Sequence, residues 1–360
     1  MMAKKTRVVC AMSGGVDSSV AAALLIQQGY DVIGVTMQIW PASNDDNERA
    51  CCSLSAVGDA RRVANSLGIP HYVVNFQEQF RELVIEDFIR EYRAGRTPNP
   101  CIRCNRWLKF DLLLERAQEL GAEYVATGHY AQIVCDEKRG RWCVRRGLDV
   151  RKDQSYALYA LTQEQQAHTL LPLGGLEKVR TREIAEELGL RVAQKPDSQE
   201  ICFVEDNNYG RFLRVAAPEV VQPGEVVDID GVVRGQHDGI AFYTIGQRRG
   251  LGFSSNDPFY VVAIDALNNR IIVGPQEALL QAQVTAQDVI YGLFTEEQLK
   301  TPQEVTAMLR YKMVAKQAMA RVGEDGKLQV TFNEAQRAVT PGQAVVCYVG
   351  DDVACGGTII

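Results

Sequence analysis

The feature that most constrains the fold is a glycine-rich turn, SGGVDSS at residues 13–19, between an apolar run and an alanine-rich run. The run Arg7–Met12 is typical of a buried β-strand, and Val20–Leu25 predicts a helix. Gly14 and Gly15 allow backbone conformations that are closed to other residues and let a ligand approach closely. The helix N-terminus adds unpaired N–H groups, and the three serines of the turn add hydroxyl donors. The turn therefore predicts a binding site for the phosphate groups of a nucleotide.

This turn differs from the kinase-type phosphate loop, because GxxxxGK[ST] requires a lysine beside the terminal Ser or Thr and none is present here. The string SGGxDS instead resembles the PP-loop of ATP pyrophosphatases, which split ATP between the α- and β-phosphates and form a substrate adenylate. That resemblance makes Asp17 a candidate for organising Mg²⁺ and pyrophosphate. An ordinary strand-to-helix turn with small residues is the structural alternative.

The length of 360 residues suggests two or three domains, and the 46% hydrophobic content is sufficient for their cores. The basic start MMAKK imitates a signal peptide, but the apolar run after it is short, and no segment has the length of a membrane span. We therefore expect a soluble, cytoplasmic protein. Its ten cysteines are then thiols, metal ligands or catalytic groups rather than a disulfide framework.

Up to about residue 205, strand-like runs alternate with helical stretches, which indicates a parallel sheet wrapped by helices. Ligands bind beyond the carboxyl ends of the strands in such a sheet, so Gly14, Met37 and Gly128 should meet there. The predicted strands are Asp31–Met37, His71–Phe76 and Tyr124–Gly128, and the predicted helices are Val57–Leu67, Gln79–Tyr92 and Lys109–Leu120.

After Tyr209, short strands separated by turn signals predominate, and the last part of the chain indicates a small antiparallel barrel. We therefore predict an α/β protein with three domains: a Rossmann-like PP-loop domain with a parallel sheet over residues 1–205, a small, mainly β central domain over 206–280, and a C-terminal antiparallel β-barrel over 281–360. The predicted strands are Gly224–Ile229, Tyr260–Ile264, Arg270–Val273, Thr306–Val314, Ala318–Val322, Leu328–Phe332 and Ala344–Val349.

The formal net charge of −6 argues against indiscriminate nucleic-acid binding, but net charge hides local patches. Basic residues cluster in segments 90–109 and 138–152. Each cluster alone is typical of a solvated face, with a phosphate-binding surface as the alternative, and the coincidence of the clusters with cysteines adds weight to phosphate binding.

A second candidate site is TPNPCIRCN, residues 97–105, in which two prolines fix an irregular loop. Cys101 and Cys104 have CxxC spacing among arginines, whose positive charge favours the thiolate form. Cys202, in the motif DSQEICF, also has polar and charged neighbours in sequence. A CxxC pair with a distant cysteine also provides three metal ligands, so a metal site is an alternative to thiol chemistry.

A buried cysteine that acts as a small apolar side chain is the alternative for every cysteine. We predict that role for Cys10, Cys143 and Cys347. The adjacent pair Cys51 and Cys52 carries no distinguishing pattern, so the sequence leaves its role open.

The motifs SGGVDSS, TPNPCIRCN, ATGHY, KDQSY, DSQEICF, IGQRRG, RYK and PGQAVV occur in this order. Together they resemble tRNA-specific 2-thiouridylases over essentially the whole chain. That family transfers sulfur to C2 of the wobble uridine in the anticodon arm of certain tRNAs. It uses ATP and a persulfide supplied by a sulfur-relay or cysteine desulfurase partner, and for this chain we expect no membrane partner.

The resemblance implies an ATP-dependent transferase that adenylates the uridine at C2 and releases 2-thiouridine, AMP and pyrophosphate. Cys104 matches the family nucleophile, and Cys202 matches the cysteine that carries the persulfide. The implied ATP site, with Mg²⁺, comprises Ala11, Met12, Ser13, Gly14, Gly15, Val16, Asp17, Ser18, Met37 and Gly128. The implied target-base loop comprises Asn99, Pro100 and Cys101, and the implied tRNA contacts are His129, Lys152, Asp153, Gln154, Arg310, Tyr311 and Gln343.

One position departs from the family pattern, because many members have Asp where this chain has Cys101. The change removes a carboxylate near the target uridine and completes a set of three thiols, Cys101, Cys104 and Cys202. Such a set resembles the ligands of thiolation enzymes that use a [4Fe–4S] cluster, which is the alternative mechanism. Other functional alternatives are a PP-loop ligase or amidotransferase and a nucleotide sensor without catalytic activity.

Overall fold

The computed structural model describes residues 5–39, 54–196, 201–204 and 208–360. Cys51, Cys52 and the first four residues of the DSQEICF motif lie outside these ranges. The chain divides into two compact units. The first comprises residues 1–84, 101–207 and 351–353, and the second comprises residues 85–100, 208–350 and 354–360.

The described residues form strands of two to twelve residues along the whole chain. They are β1 (Arg7–Ala11), β2 (Asp31–Gln38), β3 (His71–Asn75), β4 (Tyr124–Ala126), β5 (Ala131–Asp136), β6 (Arg141–Arg146), β7 (Thr169–Leu170), β8 (Gly224–Asp228), β9 (Val233–His237), β10 (Tyr260–Asp265), β11 (Arg270–Gly274), β12 (Leu280–Tyr291), β13 (Gln303–Met308), β14 (Lys316–Val322), β15 (Leu328–Arg337), β16 (Ala344–Val349) and β17 (Asp352–Ile359).

Most helices lie in the first half of the chain. The α-helices are α1 (Val16–Gln27), α2 (Leu54–Leu67), α3 (Gln77–Phe80), α4 (Glu86–Arg93), α5 (Pro100–Arg103), α6 (Leu113–Glu119), α7 (Ser155–Leu158), α8 (Gln163–Ala167), α9 (Lys178–Glu187), α10 (Tyr209–Ala216) and α11 (Glu296–Leu299). Arg81–Ile85 and Cys104–Leu112 are π-helices, and Pro218–Val220, Ile240–Phe242 and Gln276–Leu279 are 3₁₀-helices.

The first unit is built on a parallel sheet with strand order β3-β2-β1-β4-β7, which confirms the predicted fold class. Val8, Val9 and Cys10 are fully buried, as expected for a central strand covered on both faces. Helix α1 packs Ala21 and Ala22 into the core that contains Val8 and Cys10. Because β1 lies between β2 and β4, the loops that follow these three strands emerge side by side.

Several elements of the first unit differ from the sequence prediction. The antiparallel hairpin of β5 and β6 and the helix α9 were not predicted. The helix predicted from Lys109 begins earlier, as a π-helix whose first residue is Cys104. The helix predicted over Gln79–Tyr92 consists of three successive segments, of which the middle one is also a π-helix.

The second unit contains a four-stranded sheet and a closed barrel. The sheet has the order β10-β11-β8-β9, in which only the β11–β8 pair is parallel, and its core includes Val226, Val261 and Val273. The barrel has the order β12-β15-β14-β13-β16-β17 and closes through pairing of β12 with β17. This arrangement confirms the predicted mainly β central part and C-terminal barrel.

The strand predicted over Thr306–Val314 is shorter than expected. β13 ends at Met308, and the chain then turns, with the Met313 N–H donating to the Arg310 carbonyl at 3.2 Å. Lys312 has a φ of 65°, which is incompatible with a strand. In the described part of the chain, no helix has both the length and the apolar character needed to cross a membrane.

Candidate functional site

The glycine-rich turn packs against the backbone of α2. Gly14 has a φ of 69°, and a Cβ atom placed on it would lie 2.2 Å from the Ala56 carbonyl oxygen. The Ser13 N–H donates to Ser18 Oγ at 3.2 Å, which ties the start of the turn to the first turn of α1. The turn therefore requires glycine at position 14 for both its backbone conformation and its packing.

The three serine hydroxyls of the turn have different surroundings. Ser18 and Ser19 are buried, and their hydroxyls donate to the Gly15 carbonyl at 3.2 and 2.8 Å. Ser13 is exposed. Of the three serine hydroxyls that were expected to donate to an anion, only that of Ser13 is exposed. The N–H groups at the start of α1 are further donors at the turn.

The ends of β2 and β4 lie beside the turn, as the sheet order requires. A Cβ atom on Gly128 would lie 2.7 Å from both the Asp17 carbonyl carbon and the Ser18 nitrogen. Thr36 Oγ1 donates to the Met12 carbonyl at 2.7 Å, which places the next residue, Met37, at the same edge of the sheet. The structure therefore brings together predicted nucleotide-binding residues from the turn after β1, the end of β2 and the loop after β4.

Asp17 is held by two side chains that the sequence analysis did not single out. Lys178 Nζ, on α9, donates to both carboxylate oxygens of Asp17 at 2.7 and 2.8 Å. Tyr130 Oη donates to Asp17 Oδ1 at 2.8 Å and lies 3.0 Å from Thr181 Oγ1. The Lys178 side chain is only 10% exposed and the Asp17 side chain is 30% exposed, so the lysine end of this ion pair is shielded while the carboxylate stays partly accessible.

Tyr130 also links the glycine-rich turn to the KDQSY motif. Its N–H donates to Gln154 Oε1 at 2.9 Å, and the Gln154 N–H donates back to the Tyr130 carbonyl at 2.9 Å. Asp153 accepts hydrogen bonds from the N–H groups of Gly147 and Ser155 at 3.0 Å each. Asp153 and Gln154, which the resemblance placed among tRNA contacts, therefore have internal partners that organise this segment.

The CxxC pair opens a π-helix. Cys101 is exposed on the single turn α5, and Cys104 is half-buried as the first residue of the π-helix. Asn105 is buried and donates to the Ala157 carbonyl at 3.1 Å, while Lys109 Nζ donates to Asn105 Oδ1 at 2.9 Å. These bonds fix the turn that carries Cys104, and π-helical turns occur frequently at functional sites.

His129 faces the same π-helix. Its Nδ1 lies 2.7 Å from Thr127 Oγ1, and its ring lies 6.1 Å from that of Phe110. Burial of the ring and the charge of nearby Lys109 hold the pKa of His129 well below its usual value. The imidazole is therefore neutral at physiological pH, and it is suited to hydrogen bonding and stacking rather than to pairing with phosphate.

Cys202 is half-buried in the first unit. The ring of its neighbour Phe203 packs edge-to-face on Phe80 at 5.7 Å. Phe80 ends α3, and α3 packs against the π-helix that begins with Cys104. The described residues include Cys101, Cys104 and Cys202, yet within them no three or more His, Cys, Asp or Glu side chains are grouped to hold a metal ion.

The cysteines predicted to be structural are buried. Burial raises the pKa values of Cys10 and Cys143 to about 12. A hydrogen bond with Cys355, together with burial, raises the pKa of Cys347 well above its usual value. These three residues are thiols at physiological pH, which confirms their assignment as small apolar side chains.

In the second unit, the start of the TPNPCIRCN segment is bound to the barrel. The Thr97 N–H donates to the Pro341 carbonyl at 2.8 Å, and Gln343 Nε2 donates to the carbonyls of Thr97 and Pro98 at 2.8 and 3.4 Å. Gly342 has a φ of 90°, and a Cβ atom there would lie 2.9 Å from the Thr97 nitrogen. Gln343 was expected to contact tRNA, and here it holds the chain that leads into Asn99 and Pro100.

Arg310 and Tyr311 lie in the turn after β13 and are both exposed. Lys312 Nζ lies 5.6 Å from the centre of the Tyr311 ring. The turn thus presents positive charge beside an exposed aromatic ring, a combination suited to nucleic-acid phosphates and unstacked bases.

Three family models match consecutive parts of the chain. Residues 6–206 match a model described as a tRNA methyl transferase HUP domain, and residues 211–275 match one described as a tRNA methyl transferase PRC-barrel domain. Residues 282–360 match an aminomethyltransferase β-barrel domain.

Curated relatives match this chain over almost its whole length. It is 53% identical to the tRNA-specific 2-thiouridylase MnmA of Desulforamulus reducens, covering 99% of this chain and 98% of the relative. The relatives of the same name from Heliobacterium modesticaldum and Acetivibrio thermocellus are 55% and 50% identical, each covering 99% of this chain and 93% and 99% of the relatives.

The packing of Gly128 against α1 predicts a stability loss. Gly128→Ala should lower the melting temperature, because the added methyl meets backbone atoms that must shift, at a cost of about 1–3 kcal/mol. Gly175→Ala is the matched control, since a Cβ atom there meets nothing within 4 Å. Equal melting temperatures of the two variants in differential scanning calorimetry would contradict the packing described.

The bonds of Gln343 predict a local change in backbone protection. Gln343→Ala should speed amide hydrogen exchange in segment 94–100 by about 2- to 10-fold, because the carbonyls of Thr97 and Pro98 lose a donor. Replacement of the exposed Gln317 by Ala is the control and should leave this segment unchanged. Unaltered exchange in the Gln343 variant would show that this residue does not hold the segment.

Proposed function

The chain belongs to the family of tRNA-specific 2-thiouridylases, and from this premise we propose that it converts uridine at the wobble position of tRNA to 2-thiouridine. It is a tRNA-uridine 2-sulfurtransferase that uses ATP. The observation that carries the proposal is the match to curated relatives at 53% identity over essentially the full length of both chains. The glycine-rich turn and the cysteine-bearing π-helix supply the two chemical functions that this reaction needs.

The ATP site is proposed at the ends of β1, β2 and β4. The backbone of residues 11–18 would hold the phosphates through the N–H groups at the start of α1, and Met37 and Gly128 would flank the nucleoside. Mg²⁺ prefers oxygen ligands, and the Asp17 carboxylate is an oxygen donor at the turn. When bound, the metal ion would neutralise charge on the phosphates.

The first chemical step activates a poor leaving group. The O2 oxygen of uridine attacks the α-phosphorus of ATP. The bond between the α-phosphorus and the oxygen that bridges the α- and β-phosphates breaks, and pyrophosphate leaves. The C2 carbon then carries AMP, which is a good leaving group. This step requires no thiol, so it does not depend on the cysteines.

The second step transfers sulfur through two cysteines. A donor protein places a persulfide on Cys202, and its terminal sulfur attacks C2 as AMP departs with the original oxygen. Cys104 then attacks Cys202 Sγ, which releases 2-thiouridine and leaves a Cys104–Cys202 disulfide. In a second version, Cys104 attacks first and hydrosulfide is the species that reaches C2. Both versions end with the same disulfide, which an external dithiol must reduce.

The target base must leave its stack to reach the site, as for other enzymes that modify a base. We assign Asn99, Pro100 and Cys101 to the target-base loop and neutral His129 to the base pocket. Arg310, Tyr311 and Lys152 are the proposed contacts of the anticodon arm, where phosphate contacts position the RNA. The ATP-binding part would comprise residues 1–205, and residues 206–280 and 281–360 would form two tRNA-binding domains in a cytoplasmic enzyme.

Thiolation explains the site better than the other candidate reactions. The matching family models are described as methyl transferase domains, but methyl transfer requires neither a pyrophosphatase-type ATP loop nor paired cysteines. A PP-loop ligase or amidotransferase would use the loop without the cysteines, and a nucleotide sensor would need no catalytic cysteine at all. The cluster alternative is not favoured, since Cys101, Cys104 and Cys202 are not grouped as metal ligands.

The division between the two steps predicts separable defects. Cys104→Ser and Cys202→Ser should each abolish 2-thiouridine formation, because serine cannot carry or resolve a persulfide, while tRNA-stimulated ATP–pyrophosphate exchange persists. Nucleoside mass spectrometry and isotope exchange measure the two outcomes. Cys135→Ser, at an exposed cysteine on β5, is the matched control and should retain wild-type thiolation.

Retention of thiolation by either serine variant would contradict the proposed roles. Cys101→Asp should also retain substantial aerobic activity, because persulfide chemistry does not use that thiol. Activity that depends on Cys101 and on anaerobic reconstitution with iron would instead support the cluster mechanism.

A further inference from the structure

The glycine-rich turn lacks the lysine of kinase-type loops, but the fold brings to it a lysine that lies 181 residues after Gly14 in the chain. Lys195 Nζ donates to the Gly14 carbonyl at 3.1 Å and to Asp59 Oδ2 at 2.8 Å. We propose that Lys195 binds the β- and γ-phosphates of ATP and stabilises the pyrophosphate leaving group. This inference rests on the proposed ATP-binding function of the turn.

The adenylation step requires a positive charge near the leaving group. Pyrophosphate departs with several negative charges, and a positioned ammonium group stabilises them as they develop. Ammonium has three N–H donors, of which the bonds to Gly14 and Asp59 use two. The third donor of Lys195 has no partner among the residues that the structure describes, and 31% of its side chain is exposed.

The other lysine at the turn is not suited to this role. Lys178 Nζ donates to both oxygens of Asp17, and its side chain is 10% exposed. Moving Lys178 toward a phosphate would leave Asp17 without its counter-ion. Lys178 is therefore a positioning residue for Asp17, and Lys195 is the more accessible of the two lysines.

The surroundings of Lys195 allow it to exchange a carboxylate for a phosphate. Asp59 also pairs with Arg62 at 2.6 Å, so it keeps a counter-ion when Lys195 leaves. Burial would raise the pKa of Asp59, but hydrogen bonds from Lys195 and Arg62 outweigh it and hold that pKa below its usual value. The Lys195 backbone stays in place because Arg182 Nη1 donates to the carbonyls of Ala193 and Lys195 at 2.6 and 3.3 Å.

Binding measurements without tRNA test this assignment. Lys195→Met should raise the dissociation constants for ATP and for inorganic pyrophosphate by at least about tenfold, because a charge-assisted bond to phosphate is lost. AMP affinity should change little, since AMP lacks the phosphates that Lys195 contacts. Lys195→Arg should recover most of the ATP affinity, and Lys327→Met, at a surface lysine paired with Asp325, controls for the change in net charge.

Asp59→Asn distinguishes two roles for Lys195: binding of phosphate, and a purely structural link between the turn and Asp59 on α2. If Lys195 binds phosphate, Asp59→Asn should keep ATP affinity within about threefold of the wild type. The assignment is wrong if Asp59→Asn lowers the affinity for ATP as much as Lys195→Met does. It is also wrong if Lys195→Met lowers the affinity for AMP as much as the affinity for ATP. Unchanged ATP and pyrophosphate affinity in Lys195→Met would also overturn it, and thiolation by that variant would show that the proposed function still stands.

Discussion

The ion pair between Asp17 and Lys178, with the hydroxyl of Tyr130 as a second donor, is the interaction on which the first unit depends. Lys178 is only 10% exposed, and a charge at such a largely buried position is tolerated only when it is paired and hydrogen-bonded. The three residues lie on α1, on α9 and in the loop after β4. Their bonds therefore connect elements that are far apart in sequence at the carboxyl edge of the parallel sheet, where a nucleotide is expected to bind.

The same Tyr130 extends this connection to the chemistry of the cysteines. Its backbone pairs with Gln154 in the KDQSY motif, and that motif leads into α7, whose Ala157 carbonyl accepts a hydrogen bond from Asn105. Asn105 follows Cys104 directly. A continuous set of hydrogen bonds therefore runs from the phosphate turn to the residue beside the proposed nucleophile. Adenylation and sulfur transfer need a fixed relative position of ATP and thiol, and this network would supply it within the first unit.

Local sequence patterns predicted the strand, turn and helix around Gly14, the parallel sheet and the β-rich second half, because these depend on short-range periodicity. They did not predict the hairpin of β5 and β6. They also did not predict that β13 ends at Met308, since the charged residues of the turn directly follow the apolar run of that strand. Lys178 and Lys195 had no sequence signal, because ordinary surface lysines look the same until the fold brings them to the turn. Gln343 and Gln154 were identified only by resemblance, and their hydrogen bonds assign them a positioning role that sequence cannot show.

Transfer of the uridine O2 oxygen to AMP is the most direct test of the central claim that the turn adenylates the base. A tRNA labelled with ¹⁸O at O2 of the wobble uridine would be incubated with the enzyme, ATP and a persulfide donor, and the nucleotide products analysed by mass spectrometry. Adenylation predicts that the label appears in AMP in amounts equal to the 2-thiouridine formed, with unlabelled pyrophosphate as the other product. Label in inorganic phosphate, with ADP as the nucleotide product, would show that the γ-phosphate activates the base and would contradict the assignment of this loop.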